Sequence, residues 1–126
     1  MTYNGVELYE KGGAYGVLVS PGYGAGWSTW GWAELAYDKR VVEFWLAHKD
    51  DREWMRQLDA RWDETPALDD ARAFFASIGY EECPYMGGFV SCRLEFVKPG
   101  EPWKIREYDG YEHLETLESA GFITFG

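Results

Sequence analysis

Cysteine, histidine and positive charge are scarce in this chain, and no long apolar run occurs in it. The cysteines are Cys83 and Cys92 and the histidines His48 and His113, two of each. Zinc needs four ligands, or three with an open position, and these residues have no such spacing, so no metal is expected. Nor is there an EF-hand pattern for Ca²⁺. The two cysteines form no CxxC pair, and a disulfide between them is not expected in a reducing compartment. Without eighteen consecutive apolar residues, no membrane-spanning helix is expected. The opening "MTYNGVELYEKGG" has no basic stretch leading into an apolar one, so no secretory signal is expected and the location is cytoplasmic. Lys and Arg total 12 against 22 Asp and Glu, a formal charge of −10. Such a field repels the phosphate backbone of DNA and anionic membrane surfaces, which excludes direct DNA and membrane binding. It keeps the protein dispersed, and it suits a basic partner or mimicry of nucleic acid.

What is abundant is apolar and aromatic. Of 126 residues, 46% are hydrophobic and 18% aromatic, with 7 tryptophans, which is enough for the core of one globular domain, 1–126. "GVELYE" and "YGVLVS" flank "KGGA" and read as a hairpin. From Ala33 to His48 the spacing of Tyr37, Val41, Phe44 and Trp45 is helical. Asp50 and Glu53 resemble a capping box for a second helix carrying Trp54, Met55, Leu58 and Trp62. Thr65 and Pro66 start a third, with Leu68, Ala71, Phe75 and Ile78 inward and Gly79 as terminator. Val90, Cys92, Leu94 and Phe96 then alternate as a strand with Cys92 in the core. "VKPGEP" turns into Trp103–Arg106, which completes a second hairpin, and "EYDGYE" reads as a turn. The tail is ambiguous: Leu114, Leu117 and Gly121 suggest a short helix, and Phe122–Phe125 a last strand. Runs of strands and of helices imply an α+β fold, with an antiparallel sheet of four to five strands and three helices packed on one face.

The segment "SPGYGAGWSTWGW", residues 20–32, packs four glycines and three tryptophans between a strand and a helix. The amides of Gly24 and Gly26 and the hydroxyls of Ser28 and Thr29 can hold an anion where helix N–H groups are unpaired. Tyr23, Trp27, Trp30 and Trp32 can stack on a base. The loop nevertheless matches neither a dinucleotide fingerprint nor a Walker loop. The alternative is an Ω-loop whose tryptophans plug the core. Arg106, with Arg93 and Lys104, offers local positive charge. Glu107 and Asp109 in "EYDG" can serve as paired carboxylates, or as ordinary turn residues. No Ser or Cys partner is implied for His48 or His113, so no catalytic residue is assigned. Asp50–Asp51, Asp69–Asp70 and Glu81–Glu82 mark helix starts and solvated faces, or form a negative strip. Residues 34–82 hold thirteen acids against seven bases. Trp45, Trp54 and Trp62 form a core stripe, or a face for a partner or for homo-oligomer formation.

"YGVLVSPGYGAGWSTWGWAELAYDKRVVEFWLAHKDD" and "KIREYDGYE" together resemble small uncharacterised phage and prophage accessory proteins that carry a GYGAGWSTW-type loop and an EYDG turn. The resemblance covers about half the chain and brings no catalytic assignment. It implies a cytosolic protein acting inside an infected bacterium, of the kind that counters host defence. Three functions are weighed. The first is a non-enzymatic binder, without cofactor, that sequesters a small anionic, nucleotide-like defence signal. The second is an acidic inhibitor that docks on a basic host defence protein or mimics nucleic acid. The third, an enzyme degrading such a signal through Asp109, His113 or His48, is the least expected.

Overall fold

The computed structural model describes residues 1–58, 64–116 and 123–125. In chain order its strands are β1 (Thr2–Tyr3), β2 (Val6–Glu7), β3 (Glu10–Lys11) and β4 (Ala14–Val19). The helices α1 (Lys39–His48), α2 (Arg52–Leu58), α3 (Pro66–Ser77) and α4 (Met86–Ser91) follow, then β5 (Arg93–Val97), β6 (Pro102–Tyr108), β7 (Tyr111–Glu115) and β8 (Ile123–Thr124). The class is α+β.

The apolar run in β4 has a direct cause, since the strand is buried on both faces. Leu18 faces a core built from all four helices, including Val41, Trp45, Met55, Ala71, Phe75 and Phe89. Tyr15, Val17 and Val19 face a second core with Leu8, Tyr37, Val97, Trp103 and Phe125. Instead of one sheet of four to five strands, the described residues form three small antiparallel ones, ordered β1-β2, β3-β4-β5 and β7-β6-β8. The helices do share one face of β3-β4-β5, but there are four of them, and the second core covers the other face.

The chain departs from its sequence reading at several joints. Ala33–Ala36 is a 3₁₀ turn, and α1 starts only at Lys39, where the Asp38 carboxylate accepts from Arg40 N at 3.0 Å. Helical spacing of apolar residues is common to both forms, so periodicity alone merged them. The cap of α2 is Asp51 rather than Asp50, accepting from Trp54 N at 3.1 Å. At α3 the expected cap is present, with Thr65 Oγ1 accepting from Leu68 N at 3.2 Å. Val90 and Ser91 end α4 instead of opening a strand, and β5 pairs with β4 rather than with β6. The "EYDGYE" turn is the tip of a regular hairpin, with Tyr108 opposite Tyr111 and Arg106 opposite His113. Leu114 is therefore on a strand, and β8 pairs with the start of β6. Trp62, Leu117, Gly121 and Phe122 lie outside the described residues. Both cysteines are free; Cys92 is in the core as expected, at the end of α4.

Helix α4 carries two glycines, and one of them has a packing reason. A Cβ on Gly88 would collide with the Gly26 carbonyl oxygen and stand 2.8 Å from the Gly26 carbon. Helix and loop thus meet backbone to backbone. Gly88→Ala is expected to destabilise the protein by about 2 kcal/mol through overpacking, read as a lower urea midpoint with unchanged m.

Candidate functional site

The loop at residues 20–32 is held from inside by one carboxylate. Glu112, on β7, is fully buried. Its Oε1 accepts from Ser20 N at 3.0 Å, and its Oε2 accepts from Trp27 N at 2.8 Å, Thr29 N at 3.1 Å and Thr29 Oγ1 at 2.6 Å. Its own N–H donates to Ser20 O at 2.8 Å. A buried charge is tolerated when donors surround it, and this one has three backbone amides and a hydroxyl. Amides of Ser20, Trp27 and Thr29 thus cradle an anion that is the protein's own side chain. Of the donors expected for a ligand's phosphate, the Thr29 hydroxyl is the one that this carboxylate takes. The start of α1 is filled in the same way, by Asp38.

Alternation along "YEHLE" is the signal that locates Glu112. Read as a strand, it puts Glu112 on the same face as Leu114, inward, with Tyr111, His113 and Glu115 outward. Reading "EYDGYE" as a turn hid that face.

The expected site residues divide by direction. Trp27 points into the core, 1% exposed, with its indole N–H donating to Leu35 O at 3.0 Å and its ring edge-on to Phe75 and Phe89. It cannot stack on a ligand. Ser28 is buried, and with Thr29 it lines a pocket of about 340 Å³ shared with Ala33, Trp103, Lys104 and Ile123. The Trp103 indole N–H is buried without a partner among the described residues. Gly24 N donates to Asp109 O at 2.6 Å, and Ala25 N donates to Gly22 O, so these amides are used internally.

Facing outward are Tyr23, 70% exposed, Trp30, 46%, Tyr85, 40%, and Tyr108, 75%. Tyr23 lies 5.1 Å from Tyr111 and 6.5 Å from Tyr108 between ring centroids. Trp30 stacks on Tyr85 at 5.6 Å and covers Gly26 and Gly110. Gly110, at φ +84°, leaves no room for a side chain, since a Cβ there would stand 2.7 Å from both Ala25 N and Trp30 Cζ2. The Tyr85 hydroxyl donates to Gly24 O at 3.2 Å. Loop, hairpin tip and the residue before α4 are thereby fastened into one aromatic surface. Tyr85 and Tyr111 belong to it and were not among the expected residues.

The charged candidates are engaged elsewhere. Arg106 Nε pairs with Glu115 at 2.5 Å, and this hydrogen bond holds the Glu115 carboxyl below its usual range. His113 Nε2 is 3.5 Å from the same carboxylate. Glu107 accepts from Gly110 N at 3.1 Å, and Asp109, at φ +50°, is the turn residue, so "EYDG" does ordinary turn work. His48 stacks on Trp54 at 3.7 Å. Burial pushes the Cys83 and Cys92 thiols up, with the Glu112 charge adding at Cys92, so neither supplies a thiolate nucleophile. Among the described residues, no group of three or more His, Cys, Asp or Glu is placed to hold a metal ion, and no helix is long and apolar enough to cross a membrane. No family model matches the chain, and neither a curated protein nor a solved structure shows significant similarity to it.

Proposed function

We propose that this is a non-enzymatic binding protein that docks on a basic partner protein through the surface of Tyr23, Trp30, Tyr85 and Tyr108. One observation carries the reading: three of the four exposed aromatic side chains sit on a loop and hairpin fixed from within by Glu112, and the fourth, Tyr85, stacks on Trp30 and bonds the loop at Gly24. Tyr and Trp give large contact area at small entropic cost, and a surface already in its bound shape saves the cost of ordering it. The net charge of −10 favours a basic partner and speeds its capture. The resemblance to phage accessory proteins makes a defence protein in the host cytoplasm the first class to test.

Tyr23→Ser/Tyr108→Ser removes two rings that are mostly in water, so stability should stay within about 0.5 kcal/mol per site. Capture of a specific host protein should be lost in that variant, and capture by the unchanged protein should weaken with salt. Equal capture by both proteins, or dimerisation that the double variant abolishes, overturns the reading; the second result would assign the surface to a further copy of the chain.

A second reading, sequestration of a small nucleotide-like ligand, is favoured by the pocket that Ser28 and Thr29 share with the unpartnered Trp103 N–H. It predicts a released ligand in the mass spectrum of denatured protein. It has lost the loop's phosphate cradle to Glu112, which is why it ranks second.

A further inference from the structure

A separate pocket, of about 340 Å³, opens between the end of the loop, the approach to α1 and the turn after α3. Trp32, Glu34, Asp38, Arg40, Tyr80 and Glu81 are its polar and aromatic walls. The rings of Trp32 and Tyr80 meet edge to face with centroids 5.2 Å apart. Asp38 is 1% exposed and grips the Arg40 guanidinium with both oxygens, at 3.1 Å from Nε and 2.7 Å from Nη2. That pairing uses up the positive charge of Arg40. Glu34 and Glu81 have no ion-pair partner among the described residues. Three carboxylates against one guanidinium leave the pocket two negative charges in excess. The Tyr80 hydroxyl is buried and has no hydrogen-bond partner among the described residues. Burial, followed by the charges of Glu34 and Asp38, raises the Tyr80 phenol far above its usual value, so it stays a neutral hydroxyl with lone pairs to offer.

We propose that this pocket binds an organic cation, with a guanidinium or primary ammonium group against the Trp32 and Tyr80 rings, its charge met by Glu34 and Glu81 and one N–H accepted by the Tyr80 hydroxyl. Aromatic faces and carboxylates together favour a soft cation, and both weaken if the charge is reversed. A bare metal ion would want converging oxygens rather than ring walls. A phosphate would meet the excess carboxylates. The same chemistry is carried by a free polyamine and by an Arg or Lys side chain of a protein. The assignment stands whether or not the aromatic surface docks a partner.

The test follows the tryptophan indole N–H resonances of the full chain, with Trp32 identified through Trp32→Phe. Spermidine, N-acetylarginine amide and, as an anionic control, adenosine monophosphate are titrated separately. Both cations are expected to shift Trp32, and Glu34→Gln/Glu81→Gln is expected to weaken them about tenfold. Tyr80→Phe, which removes only an oxygen without a partner, is expected to weaken them about threefold. Tighter binding of spermidine assigns a free amine, and tighter binding of the arginine amide assigns a protein side chain. The proposal is overturned if neither cation shifts Trp32 by about 10 mM, if adenosine monophosphate shifts it as strongly, or if the double Gln variant binds unchanged. An unweakened Tyr80→Phe removes the hydroxyl from the site.

Discussion

Glu112→Ala is expected to destabilise the protein by about 4 kcal/mol, the scale on which removing one partner strands a buried charged network. Three amides, of Ser20, Trp27 and Thr29, and the Thr29 hydroxyl would lose their acceptor together, the Ser20 and Trp27 bonds being buried. A domain holds only about 5–15 kcal/mol in total, so this one change removes a large share. Glu112→Gln should cost less, about 2 kcal/mol, because an amide oxygen can still take the Oε2 bonds while its NH₂ opposes the Ser20 N–H. Urea unfolding followed by tryptophan fluorescence measures both. A loss below about 1 kcal/mol for Glu112→Ala would mean that the loop amides find water as readily as the carboxylate, and the clamp would then not explain the loop.

Trp27→Ala is expected to cost a similar amount, about 4 kcal/mol, by leaving a cavity among Phe75, Phe89 and Leu35. The melting temperature should fall by about 15 °C. Trp27→Phe keeps most of the volume but strands the Leu35 carbonyl, which accepts from the indole at 3.0 Å, and should cost about 2 kcal/mol. Since the Trp27 amide bonds Glu112, the two alanine changes share an interaction, and their combined cost should be less than additive. A Trp27→Ala variant as stable as the parent would place that ring at the surface, against its 1% exposure.

The parts legible in the sequence were those with local chemistry. Thr65 and Pro66 announce α3 because the cap and the missing N–H act within one turn. The turn at Gly12–Gly13 reads correctly for the same reason, although Val6–Glu7 of "GVELYE" pairs with β1 and only Glu10–Lys11 with β4. What stayed hidden depends on partners far along the chain. Helix α4 has two glycines in six residues and poor intrinsic propensity, and it exists because Gly88 lets it rest on Gly26. The division into three sheets turns on β5 choosing β4 over its sequence neighbour β6, a tertiary choice with no local sign. At the loop, composition pointed to hydrogen-bond donors and rings meeting a ligand, and the structure shows several of them meeting Glu112 and Tyr85 instead. Composition gave no means of knowing that the anion comes from residue 112, or that Trp27 and Trp30 face opposite ways.

The two-sided burial of β4 bears on the protein's synthesis. The strand ends at Val19, yet one of its faces is closed in part by Val97, Trp103 and Phe125, far later in the sequence. The loop that follows waits for Glu112. A nascent chain with only residues 1–58 outside the ribosome has α1, α2, Leu8 and Tyr37 to set against the strand but lacks Val97, Trp103 and Phe125, and at about 5–20 residues per second that interval lasts several seconds. Closure of this face is therefore tied to the arrival of Trp103 and Phe125, and the aromatic surface comes into being only when the β6–β7 hairpin closes.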